Sequence, residues 1–196
     1  MDNSKPRFET QKLVLLALLT ALVIVLQFLG AFIKFGTFSV SLVLLPIVVG
    51  AALIGTYAGC WLGLAFGVVV LASGDANAFL GVNALGTVLT VLLKGAGAGF
   101  AAGAVYRLLA EKNKTAAVIA AAAAAPAVNT GIFFIGSCVF FMPTLTEWAE
   151  NAGFPNAFTF ILVVLIGGNF FFELALNLIL SPVIVRLIQY GRAKAV

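Results

Sequence analysis

The chain has 196 residues, of which 63% are hydrophobic and 9% charged, with a mean hydropathy of +1.17 and a formal net charge of +4. That balance exceeds what a soluble core can hide and excludes an ordinary water-soluble fold. Histidine is absent and only two cysteines occur, which removes the usual general base and the commonest metal ligand and weakens every enzyme reading.

The apolar runs predict an all-α integral membrane protein, one domain over residues 1–196, with six transmembrane helices at roughly 11–33, 39–55, 57–73, 84–109, 115–140 and 158–189. Lys5, Arg7 and Lys12 precede the first run, but that run is too long for a signal-peptide core and lacks a clear small-residue cleavage site, so it is expected to stay attached. Ala17 and Ala21 sit one helical turn apart within it. The first outer loop carries Lys34 between Phe32, Phe35 and Phe38. In the third and fourth spans glycine recurs every four residues, at Gly59, Gly63 and Gly67 and again at Gly95, Gly99 and Gly103. Such rows let helix backbones approach closely, and ordinary bundle packing is their plain explanation.

The fifth span holds the alanine run 120–125 followed by Pro126, which frees a backbone carbonyl one turn back and is able to bend the helix just before Asn129, with packing alone the plainer account. Residues 143–156, with Glu147, Trp148, Glu150 and Asn151, read as the longest and most polar outer loop, able to cover a site as a lid. Cys60 and Cys138 fall near opposite membrane faces, so a disulfide is not expected and both read as buried, inert thiols.

Orientation follows from the cations. With both termini cytoplasmic, nine of the eleven Lys and Arg residues lie inside, in the N-terminal segment, the link between spans four and five, and the C-terminal end. The positive net charge is thereby explained by topology, and no nucleic-acid partner is read from it.

Against that background two charges stand out, Lys94 and Glu173, each in the middle of an apolar stretch. An ionisable group at bilayer depth costs roughly 2.5–3.5 kcal/mol on the more lenient scales, so such groups face a protein interior and mark a ligand or ion path. Lys94 precedes Arg107, and Glu173 precedes Arg186, by thirteen residues, which puts both roughly 20 Å above the inner interface. Asn129 reaches about the same level. Asn169, Glu173 and Asn177 recur at every fourth position and stack on one face that must point inward. These groups read as the floor of a cavity open to the outside, beneath an aromatic-rich vestibule that includes Phe133. An ion pair between Lys94 and Glu173 that only stiffens the bundle is the bland alternative.

No phosphate-cradling GxxxxGK[ST] loop, HExxH, GxSxG or aspartate-rich diphosphate site is present, so no metal site, cofactor or catalytic residue is expected, and any energy from ATP must come from a partner.

The Ala17-x-x-x-Ala21 pair, the stretch LLPIVVGAALIGTYAGCWLG at 44–63 and the stretch VNALGTVLTVLLKGAGAGFAAGAVYRLL at 82–109 carry a resemblance. Together with six spans in a chain of this size, they resemble the substrate-binding S component of energy-coupling factor (ECF) vitamin transporters, nearest the group with riboflavin and pantothenate S components. The resemblance implies a multi-pass protein of the prokaryotic cell membrane that captures a vitamin or related micronutrient, riboflavin-like first among them. It implies substrate contacts from the outer loops and outer helix halves, with Lys34, Phe35, Asn83, Lys94, Asn129, Phe133, Asn169 and Glu173 as candidates. It also implies docking through Ala17 and Ala21 onto a membrane T component bound to two cytoplasmic ATPases. The alternative is a stand-alone secondary transporter or channel that uses Lys94 and Glu173 as a coupling or gating pair, although the two halves show no convincing inverted repeat.

Overall fold

The computed structural model describes residues 4–32, 34–35, 38–39 and 42–193, and the side chains of residues 9–30 and 42–186. In chain order the helices are α1 (Ser4–Phe32), α2 (Leu44–Leu53), α3 (Thr56–Ala72), the single turn α4 (Asn77–Leu80), α5 (Ala84–Ala110), α6 (Lys114–Phe140), α7 (Met142–Asn151), α8 (Ala157–Phe160) and α9 (Gly168–Ala193). A π-helical segment, Ile161–Gly167, joins α8 to α9 without a break. Between α1 and α2, Lys34–Phe35 and Phe38–Ser39 form one antiparallel pair of two-residue strands.

Six helical stretches occupy the positions of the six expected spans, but they are not equal. Four have the length and apolar character to cross a membrane: Glu9–Gly30 within α1, Ala84–Ala110, Lys114–Phe140 and Ala157–Arg186. The second expected span, 39–55, shrinks to the ten residues of α2, which rise only about 15 Å against a hydrocarbon core of about 30 Å. Eight of those ten residues are buried, because α2 sits among α1, α3, α5, α6 and α9. Its apolar character belongs to a protein core, where Leu44, Ile47 and Val48 are wholly enclosed. Gly55 then turns the chain at a φ of 137°, a conformation that a side chain would disfavour, and α3 starts at once.

The glycine rows explain the tightest contact in the bundle. A Cβ built on Gly63 would land on the carbonyl oxygen of Gly95, and one on Gly99 would land on that of Gly59. One built on Gly103 would lie 2.6 Å from Thr56 Cα. The α3 and α5 backbones therefore touch directly, a packing that any larger residue would wedge apart. On the other side of α5, Gly136 of α6 faces Thr90, and Gly86 faces Phe140.

Asparagines start three of the helices. Asn83 accepts from Gly86 N at 2.9 Å, Asn113 from Thr115 N and Ala116 N at 3.0 Å each, and Asn156 from Thr159 N at 2.8 Å, satisfying amide groups that a helix N-terminus otherwise leaves open. Pro126 sits buried inside an uninterrupted α6.

The expected outer loop at 143–156 is corrected by the structure: most of it is α7. Pro143 stands in its first turn, where a missing N–H costs nothing. Leu145 and Ala149, four residues apart, are wholly buried against Phe141, Ala157, Phe160 and Ile161, while Glu147 and Glu150 point outward. Cys60 and Cys138 are free, as expected, but half-buried rather than buried.

Candidate functional site

A cavity of about 440 Å³ opens at the end of the bundle where α1 finishes, α3 finishes and α5 begins. Arg107, Lys112, Lys114 and Arg186 lie toward the other ends of the long helices. α5 contributes Thr87, Thr90, Val91 and Lys94, one helical face read at intervals of three and four. α6 contributes Asn129, Thr130 and Phe133, and α3 contributes Phe66 and Val70. Val164, Leu165 and Ile166 line the cavity consecutively from the π-helical segment, whose widened turns present more residues to one side than an α-helix would. Asn169 and Glu173 of α9 complete that wall.

Lys94 and Glu173 therefore share one cavity, but no ion pair within 4.0 Å joins them among the described residues. Lys94 Nζ instead lies 5.8 Å from the centre of the Phe66 ring and 5.5 Å from that of Phe133, held by cation–π attraction between two aromatic walls. The bland reading of Lys94 and Glu173 as a mutually satisfied pair does not describe this geometry. Asn129 is only 7% exposed, and its Oδ1 finds no hydrogen-bond donor. Thr90 Oγ1, also in the cavity wall, is likewise buried without a partner. Unfilled polar valences in a buried wall cost about 1–3 kcal/mol each, a cost a bound ligand can remove.

Of the sequence-derived candidates, Lys94, Asn129, Phe133, Asn169 and Glu173 converge on this cavity. Asn83 does not line it; its side chain is committed to capping α5. The side chains of Lys34 and Phe35 lie outside the described residues. Asn177, on the same face of α9 as Glu173, is wholly buried and outside the cavity wall, where its Nδ2 donates to the Glu173 carbonyl at 2.8 Å.

The sequence reading missed Gln27 and Asp75, which meet in the cavity wall where Gln27 Nε2 donates to Asp75 Oδ2 at 2.7 Å. Gln27 is buried among the apolar residues of α1, and an amide so placed was a legible signal. Phe79 of α4 was also missed. Its ring lies 5.8 Å from Phe133, 5.0 Å from Phe141 and 5.8 Å from Trp148, so it ties the cavity wall to α7.

Ala17 and Ala21 do not line this cavity: both are exposed on α1, the least buried of the four long apolar helices, with 17% of its apolar stretch enclosed. Leu13, Leu18 and Val25 are exposed on the same helix.

No curated protein and no solved structure matches the chain. The model of one family, described as "ECF transporter, substrate-specific component", matches residues 11–185, nearly the whole chain. A membrane bundle enclosing a polar cavity agrees with that match, and the chain belongs to the substrate-specific component family of ECF transporters, multi-pass membrane proteins that bind substrate for uptake and are not enzymes.

Proposed function

We propose that this chain captures a vitamin or related micronutrient at the outer face of the prokaryotic cell membrane, with a riboflavin-like compound as the leading candidate, and hands it to a T component driven by two cytoplasmic ATPases. The observation that carries this reading is the cavity itself, a mixed-charge floor and aromatic walls at one end of the bundle. In this reading the chain crosses the membrane six times with both termini in the cytoplasm, and Lys94, Asn129, Phe133, Asn169 and Glu173 contact the substrate. The short α2 is then a crossing only in topology, shielded from lipid by its neighbours.

Docking is assigned to the exposed small-residue pair on α1. Ala17 and Ala21 leave a shallow seam between larger apolar side chains, and such seams admit a partner helix at close range. Ala17→Trp and Ala21→Trp are expected to abolish uptake in cells while leaving ligand affinity of the purified protein unchanged. Normal uptake and normal co-purification with the T component in both variants would remove the docking assignment. Uptake by proteoliposomes containing this chain alone, driven by a sodium or proton gradient, would replace the whole reading with that of a secondary transporter using Lys94 and Glu173.

A further inference from the structure

The cavity floor sets a chemical condition on its ligand. Lys94 offers hydrogen-bond donors only, and an ionised Glu173 offers acceptors only. Both face the same space without pairing to each other, whereas Asp75, the other charged group of the wall, already accepts from Gln27 Nε2. Asn129 Oδ1 adds a buried acceptor that nothing in the protein fills. A purely anionic ligand would satisfy Lys94 but bring a second negative charge against Glu173 in a desolvated site, and a purely cationic one would do the reverse to Lys94. The walls set a second condition. Phe66 and Phe133 flank the Lys94 ammonium, and Phe79 packs edge-on against Phe133, so the space beside the charges is bounded by flat apolar surfaces. A flexible aliphatic zwitterion could reach both charges but would make little use of those walls.

Resting on the substrate-capture reading above, we infer that the ligand is a planar nitrogen heterocycle with a lactam edge, its ring N–H donating to Glu173 and its neighbouring carbonyl accepting from Lys94. A lactam offers a donor and an acceptor side by side without introducing net charge. Each of its hydrogen bonds meets a charged partner, the stronger kind. The cavity, about 440 Å³, lies in the ordinary range for small-molecule pockets and has room for a fused two- or three-ring system. Two chemical sources share this edge: the imide of a flavin-type ring, and the 2-amino-lactam of a pterin- or guanine-type ring, whose extra amino group would give Asn129 Oδ1 or Glu173 a further donor.

The test is calorimetric titration of the purified protein in detergent with two matched pairs, lumiflavin with 3-methyllumiflavin and pterin with 3-methylpterin. At least one parent compound is expected to bind, and methylation of its ring nitrogen to weaken binding roughly 10–100-fold. In Glu173→Ala the parent is expected to bind more weakly and the methylation penalty to disappear, which separates a lost hydrogen bond from a steric clash and from misfolding. Binding by lumiflavin alone marks the flavin-type edge, by pterin alone the 2-amino-lactam, and by both an edge read without further discrimination. Failure of both parents to bind natively folded protein, equal affinity for parent and methylated compound, or a penalty that persists in Glu173→Ala overturns the inference. Tight binding of pantothenate or thiamine instead of either parent also overturns it, while leaving the substrate-capture reading in place. Gradient-driven uptake by the chain alone would overturn that underlying reading.

Discussion

The two halves of α5 carry different loads. From Gly95 to Gly103 the helix lies backbone to backbone on α3, with no side chain between Gly63 and Gly95 or between Gly59 and Gly99. From Thr87 to Lys94 the same helix turns polar groups into a cavity on one face, while on another its Val91 carbonyl and Leu92 Cα still lie close against Gly67 of α3. One half gives its sequence to close packing alone and the other adds unfilled hydrogen-bonding capacity, with Lys94 of the cavity and Gly95 of the seam adjacent in the chain. The contrast teaches that the site is held open by the seam next to it. Interiors transmit strain because they are close-packed, so a rigid α3–α5 seam fixes where Lys94 emerges.

Breaking the seam should have the largest effect. Gly63→Leu and Gly99→Leu each push a side chain into a facing carbonyl oxygen, and a loss of at least about 3 kcal/mol is expected from overpacking against backbone that cannot move aside. Thermal unfolding in detergent reads this directly. Gly131→Ala on α6, whose added Cβ would meet nothing within 4 Å, is the matched control and should be neutral or slightly stabilising. Equal melting temperatures for all three variants would show that the seam does not hold the bundle.

Breaking the cavity floor should be milder for the fold and severe for binding. Lys94→Met removes the donor and leaves Glu173 without a compensating cation in the cavity wall, so ligand affinity should fall roughly 10–100-fold and the ligand-free protein should melt earlier. The double variant Lys94→Met with Glu173→Gln sharpens the point. Recovered melting temperature without recovered affinity is the expected result, whereas recovery of both would make the two charges structural only.

The smallest effect is expected at the rim. Asn83→Ala should cost about 1 kcal/mol through the lost cap on α5, with affinity for ligand unchanged, and Asn83→Ser should restore the stability. A loss of affinity out of proportion to the loss of stability would return Asn83 to the binding site.

The sequence was legible where local physics leaves few choices. Residues 84–109 and 115–140 read as long helices and form as α5 and α6 within one residue at each end, because an apolar run of that length has to satisfy its backbone internally. The polar stratum was legible for a related reason: Lys94, Asn129, Asn169 and Glu173 each interrupt an apolar run where an exposed polar group would be costly, and all four line one cavity. The connection at 143–156 was misread through its composition, although Pro143 and the Leu145, Ala149 spacing carried a helix signal.

What the sequence determined by itself is a helical membrane protein with glycine rows and a buried polar level, since hydropathy, small-residue spacing and misplaced charges are properties of single segments. Tertiary structure alone decided the rest. Whether an apolar run meets lipid or protein depends on its neighbours, and only the packing shows that the ten-residue α2 is enclosed by other helices. Whether Lys94 pairs with Glu173 or with the faces of Phe66 and Phe133 depends on how α3, α6 and α9 are set around α5. The partnership of Gln27 with Asp75 spans 48 residues, and the cavity exists only because six stretches of chain leave the same space unfilled.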